Sequence, residues 1–143
     1  MEAALAMLGR RAYPAAGVRE RLARTFEAEE VERVVARLTE LAVLDDRAYA
    51  ERFARDRFER AGYGRERIRA DLLARGIARE HVETALRSVV DDAGERERAV
   101  RALGKFRSRA RGEAHEARET AFRHLVSRGY PVDLVRDLID RSL

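Results

Sequence analysis

Apolar residues recur at helical spacing along nearly the whole chain, and no stretch of five or more residues alternates apolar and polar as a half-buried strand would. Val31, Val34, Val35, Leu38, Leu41 and Ala42 follow an i, i+3, i+4, i+7 pattern, and so do Val82, Ala85, Leu86, Val89 and Val90. Each reads as a stripe turned toward a core. The breaks fall where helix rules put them. Pro14 ends a first helix after Tyr13, because a proline disfavours helical geometry in the residue before it. Asp45 and Asp46 stand where they would cap the helix carrying Tyr49, Ala50, Phe53 and Ala54. Gly62-Tyr63-Gly64 reads as a turn, Gly76 and Gly129 suit the left-handed position just past a helix end, and Pro131 suits a first helical turn. The pattern predicts an all-α protein with helices at 3–13, 15–25, 28–43, 46–61, 65–75, 78–90, 95–111, 113–128 and 131–142.

These helices read as three copies of one unit. Leu22-Ala23-Arg24-Thr25-Phe26, Leu73-Ala74-Arg75-Gly76-Ile77 and Val126-Ser127-Arg128-Gly129-Tyr130 each run apolar, small, Arg, helix stop, large apolar. Five residues further on come Val31, Val82 and Val135, then the apolar pairs Val34 and Val35, Ala85 and Leu86, Leu138 and Ile139, in a register that holds without a gap. Thr25 stands where the later copies have Gly, so the first stop is the least secure. The expected organisation is three tandem three-helix repeats, 1–44, 45–90 and 91–143, stacked into an elongated, curved array. Such an array offers an extended surface rather than a deep pocket, which suits a long partner.

A chain of 143 residues is enough for one ordinary domain. No apolar run approaches the roughly 18 residues that cross a bilayer. Met1 is followed by Glu2 and a short apolar stretch without a basic start or a small-residue cleavage site, so a cytoplasmic protein is expected. The absence of Cys excludes disulfides, thiolate catalysis and Cys-ligated zinc. Gly62-Tyr63-Gly64-Arg65-Glu66-Arg67 begins like a dinucleotide fingerprint but lacks the third Gly and a preceding strand. His81, His115 and His124 are never three or four apart, and no Ser has a His close in sequence that would suggest a nucleophile pair. Asp45-Asp46 could be paired carboxylates, but adjacent acids opening an apolar helix are ordinary caps. No catalytic group, metal or cofactor is expected.

Charge adds a direction. The 30 basic residues are Arg except for Lys105, and they cluster: Arg96 to Arg111 holds six Arg and Lys105 against Glu97 alone, and Arg52 to Arg69 holds seven Arg against three acids. Between Glu27 and Asp46 the sign reverses, with seven acids against Arg33 and Arg37. A genome rich in G and C would also favour Arg and Ala, but it would not arrange the charges in blocks. Arg57, Arg60, Arg65, Arg67 and Arg69 surround the glycine turn with Tyr63 among them, while Lys105, Arg107, Arg109 and Arg111 alternate with Phe106, Ser108 and Ala110. Either cluster could neutralise phosphates or meet an acidic protein face. Two other readings compete: an independent helical DNA-binding module, and a plain adaptor whose basic blocks pair internally.

Leu44-Asp45-Asp46-x-x-Tyr49-Ala50-x-x-Phe53, Gly64-Arg65-x-Arg67-Ile68 leading to Leu72-Leu73-x-x-Gly76-Ile77, and Arg128-Gly129-Tyr130-x-x-Asp133-x-Val135 together resemble the RecX family of bacterial regulators of the RecA recombinase. The first unit departs from the family pattern, with Pro14 and Val18-Arg19 where a Ser and a Glu-Leu pair are usual. The resemblance implies three tandem three-helix repeats and a non-catalytic, monomeric role in recombination, DNA repair and the SOS response. It also implies binding to RecA, chiefly as a filament on single-stranded DNA, and restraint of its ATPase, strand-exchange and coprotease activities. Direct DNA binding would be weak, with no membrane and no small-molecule substrate involved.

Overall fold

The computed structural model describes residues 1–109 and 112–142, the side chains of Ser108 and Arg109 apart. All regular structure among the described residues is helical. The helices are α1 (Glu2–Arg10), α2 (Ala15–Leu22), α3 (Ala28–Glu40), α4 (Asp46–Arg55), α5 (Arg65–Ala74), α6 (Arg79–Val89), α7 (Asp92–Arg109), α8 (Ala114–Ser127) and α9 (Val132–Ser142). Helix α4 runs into a wider, π-helical turn over Asp56–Arg60, which carries Phe58 into the core.

Three separate cores lie in series. Ala4, Val18, Leu22, Val31, Val35, Leu38 and Leu44 form the first. The second collects Ala50, Ala54, Phe58, Ile68, Leu72 and Ile77 with the buried stripe of α6. In the third, Ala99, Leu103, Ala121 and Leu125 meet Tyr130 and the stripe of α9. Every substantial helix–helix packing falls within α1–α3, α4–α6 or α7–α9. Each trio therefore has its own hydrophobic reason to fold, and among the described residues no substantial helix–helix packing joins one trio to the next.

Several expected boundaries move. Helix α1 stops at Arg10, so Tyr13 and Pro14 link two helices, and Pro14 caps α2 with its carbonyl accepting from the Gly17 and Val18 N–H groups. Pro131 likewise precedes α9 and accepts from the Val135 N–H. Helix α7 begins at Asp92, three residues early, because the Asp91 carboxylate accepts the Gly94 N–H at 2.9 Å. Helix α3 ends at Glu40, and Leu41 and Ala42 do not continue its buried stripe. The Val43 and Leu44 N–H groups both turn back to the Leu38 carbonyl, at 2.9 and 3.1 Å, around Ala42 in left-handed geometry at φ 57°. That turn leaves Leu41 half exposed and puts Leu44 into the core instead.

The register across copies contains a one-residue slip. Val31, Val82 and Val135 are buried equivalents, as are Val35, Leu86 and Ile139. The buried residues before the turn, however, are Leu22, Leu72 and Leu125, not Leu22, Leu73 and Val126. Nine positions therefore separate Leu22 from Val31, whereas ten separate the later pairs. Gly76 (φ 81°) and Gly129 (φ 98°) take the left-handed turn that lets the Ile77 and Tyr130 N–H groups bond to Leu72 and Leu125, closing a Schellman motif. Thr25 does not adopt positive φ, and the Phe26 N–H bonds one residue closer, to Leu22. Phe26 accordingly stays exposed, while Ile77 and Tyr130 are buried.

Candidate functional site

The second and third trios meet where the first turn of α5 touches the last turn of α8. The Gly64 N–H donates to the Arg128 carbonyl at 3.0 Å and the Glu66 N–H to the Gly129 carbonyl at 2.9 Å. A Cβ on Gly64 would lie 2.5 Å from Gly129 backbone atoms, so only glycine permits this approach. No side chain of the α5 N-cap residue closes the helix end. That task falls to Glu95 of α7, whose carboxylate accepts the Arg65 N–H at 2.7 Å and the Arg65 Nε at 2.8 Å while only 2% exposed. Burial works against the Arg65 charge, but its bonds to Asp92 and Glu95 outweigh it and hold the guanidinium above its ordinary pKa. Arg98 donates from Nε to the Phe58 carbonyl at 2.8 Å and lies 4.0 Å from the Phe58 ring centre. Tyr130 donates its hydroxyl to the Gly62 carbonyl, and burial pushes its phenol up. Arg128 donates to the Ala61 carbonyl, sits over the Tyr63 ring at 5.0 Å, and keeps a buried Nε without a partner.

Beside this joint opens a groove of about 390 Å³. Arg60 enters from the π-turn, and Arg98, Arg101 and Lys105 enter from one face of α7, where they stand three and seven residues apart. Phe106 and His124 also line it, their rings stacked at 5.4 Å between centres with 26° between planes. Glu59 is its one acidic lining residue among those described. Cations and a ring pair in one open cleft are the chemistry of anion and π-face recognition.

The basic residues expected from the sequence divide. Arg60, with its side chain 84% exposed, and Lys105 lie in the groove. Arg107 is exposed on the same helix. Arg57 is half-buried, bonded to Asp56 at 2.6 Å and lying 4.4 Å from the Phe53 ring centre. Arg67 lies 3.9 Å from the Tyr63 ring centre, and Arg65 is held in the joint. Arg69 binds Glu83 at 2.7 Å and Glu66 at 2.6 Å; these bonds raise its pKa, and the hydrogen bond it donates holds Glu83 below the usual carboxylate range. The Arg109 side chain and all of Arg111 lie outside the described residues. Arg98, Arg101, Arg128 and His124 were not among the expected site residues. The i, i+3, i+7 spacing of Arg98, Arg101 and Lys105 was the available signal.

Among the expected structural residues, Asp45 caps α4 by accepting the Ala48 N–H at 3.1 Å. Asp46 does not cap that helix: its carboxylate accepts the Ala15 N–H at 2.9 Å, closing α2 of the preceding trio. Tyr49 and Phe53 stack at 6.2 Å, with Arg75 donating to the Tyr49 hydroxyl and lying 4.7 Å from the Phe53 ring centre. Gly76 faces the Ala16 methyl across the first joint, and Gly129 faces Arg67 across the second. Among the described residues, no group of three or more His, Asp or Glu is placed to hold a metal ion. No helix there is long and apolar enough to cross a membrane.

Comparison with known proteins agrees with this architecture. Two family models match: "RecX, first three-helix domain" over residues 1–38 and "RecX, second three-helix domain" over residues 45–86. The chain is 38% identical over 129 residues to a regulatory protein RecX of Thermus thermophilus, covering 90% of this chain and 82% of that one. It is 33% identical over 144 residues to a regulatory protein RecX of Trichlorobacter lovleyi, covering 97% and 92%. The crystal structure of RecX from Lactobacillus salivarius superposes with a TM-score of 0.86 over 99% of this chain and 92% of that one, at 22% identity.

Proposed function

The chain belongs to the RecX family, and from that premise we propose that it regulates the RecA recombinase. It binds RecA assembled as a filament on single-stranded DNA and restrains its ATPase, strand-exchange and coprotease activities. It acts as a monomer in the cytoplasm, by binding rather than by catalysis. Its units are 1–44, 45–90 and 91–143, and three cores in series give it the reach to follow a filament rather than enclose a small molecule.

The observation that carries this reading is the cationic groove at the second joint, set on a rigid seam between two units. Arg60, Arg101, Lys105 and Arg107 make the contacts, with Arg109 and Arg111 continuing the same basic run. Arg65 and Arg69 are held by carboxylates instead, Arg65 by Glu95 and Arg69 by Glu83. Arg57 and Arg67 are each laid over a ring, of Phe53 and of Tyr63.

The test is ATP hydrolysis by RecA filaments on single-stranded DNA, followed with and without the chain, together with co-sedimentation at moderate salt. Slower hydrolysis and co-sedimentation are expected, and replacing both Arg101 and Lys105 by Glu abolishes them. Unchanged hydrolysis with no co-sedimentation defeats the proposal.

A further inference from the structure

We infer that the groove at the second joint holds an unpaired nucleotide strand, one base stacking on His124 while Arg60, Arg101 and Lys105 take the flanking phosphates. This deepens the regulatory reading, because the strand is the one a recombinase filament carries.

Charge alone would suit any polyanion, so the rings decide the class. Phe106 is half-buried against the third core, and the exposed His124 stacks on it. With one ring face covered by Phe106, the imidazole has its other face left for a planar ligand. Bases within a duplex are already stacked and paired, so only an unpaired base can occupy such a platform. An acidic peptide segment would use the guanidinium groups and leave the ring pair idle. A groove of about 390 Å³ also falls within the range of small-ligand clefts, about 300–1,000 Å³.

Arg60 and Arg101 can turn to a ligand at little cost. Arg101 pairs with Glu97 one turn away, and Arg60 with Asp56 at 3.3 Å; both pairs are exposed, and such pairs contribute little. Arg98 and Arg128 differ, because their bonds to the Phe58 and Ala61 carbonyls fix the wall of the groove. The second joint thus supplies a rigid wall with movable charges on it, an arrangement suited to gripping a flexible backbone.

The experiment uses the chain alone, without recombinase. Fluorescence anisotropy would compare a labelled 12-nucleotide thymidine strand with a strand of equal length whose central positions are abasic, keeping the phosphates but removing the bases. The thymidine strand is expected to bind about 5-fold tighter or more, the lower end of what one stacked base contributes. His124→Ala should erase that preference and His124→Phe should keep it. Arg101→Gln should weaken both strands alike and reduce the salt slope by about 0.7. Equal affinity for the two strands overturns the inference, as does an unchanged preference in His124→Ala or tighter binding of polyglutamate than of thymidine. A chain that fails to slow RecA but still prefers the base-bearing strand would defeat the regulatory proposal and leave this site standing, and the converse result would do the reverse.

Discussion

At the first joint Asp46 of α4 reaches back to the leading N–H of α2; at the second, Glu95 of α7 reaches back to the leading N–H of α5. In both places the Gly turn of the later unit, Gly76 or Gly129, presses against the start of the earlier unit's second helix. The plan is therefore repeated, but the strength is not. Among the described residues no main-chain hydrogen bond crosses the first joint, whereas two cross the second. The second also gains a nearly buried carboxylate, a guanidinium bonded to it, and the Tyr130 hydroxyl. In α2 and α5, whose N-cap residues Pro14 and Gly64 offer no side-chain cap, the leading N–H is bonded by a carboxylate of the next unit. Neighbour-capping of this kind makes the order of units part of their stability, and its uneven strength places the firm seam under the cationic groove.

The largest effect should come from closing the space that the firm joint depends on. Gly64 has an ordinary φ of −82°, so Gly64→Ala adds no intrinsic backbone strain, but its Cβ would enter the Gly129 backbone. The units must separate, losing two main-chain bonds at about 1 kcal/mol each plus the overpacking cost, about 3 kcal/mol together. Thermal denaturation should show a drop of about 10 °C. Amide exchange at Gly64 and Glu66 should accelerate while Val35 and Leu38, in the first core, keep their protection. An unchanged melt with protected Gly64 would mean the two turns are not in contact.

Removing Glu95 should cost somewhat less, about 2 kcal/mol, since Arg65 retains Asp92 and is partly open to water, which screens the loss. Glu95→Ala leaves the Arg65 N–H uncapped. Glu95→Gln restores that acceptor without the charge and should recover part of the stability in urea denaturation. If Glu95→Gln is as damaging as Glu95→Ala, the charge rather than the cap holds the joint.

Helical periodicity made the three trios legible before any coordinate, because a buried stripe such as Val82, Ala85, Leu86 and Val89 writes itself at 3.6-residue spacing. What escaped depends on distant partners or on backbone choices that leave no residue-type mark. Ala42 turns left-handed although nothing in its side chain announces it, so the apolar periodicity runs past the end of α3 at Glu40. The one-residue slip follows from Thr25 declining the turn that Gly76 and Gly129 adopt. Glu95 did leave a trace: with Ala99 and Leu103 it forms an i, i+4, i+8 line facing the core, and an acid on such a line calls for a partner. The groove was half legible, through Arg60 and Lys105. His124 stood alone in the sequence because its partner, Phe106, sits on a different helix.

The smallest expected effect separates two adjacent residues that the sequence assigns to one role. Asp45 and Asp46 both open α4, yet Asp45 serves Ala48 within its own unit and Asp46 serves Ala15, 31 residues upstream. Each cap contributes about 1 kcal/mol, so melting temperature will not tell them apart. Amide exchange will. Asp46→Ala should speed exchange at Ala15 and Ala16 and leave Ala48 alone, whereas Asp45→Ala should do the opposite. Asp46→Asn keeps an acceptor and forfeits only the charge at the helix start, a few tenths of a kcal/mol. Should Asp46→Ala instead expose Ala48, the carboxylate caps its own helix, the first joint has no successor-supplied cap, and the likeness between the two joints reduces to their glycine turns.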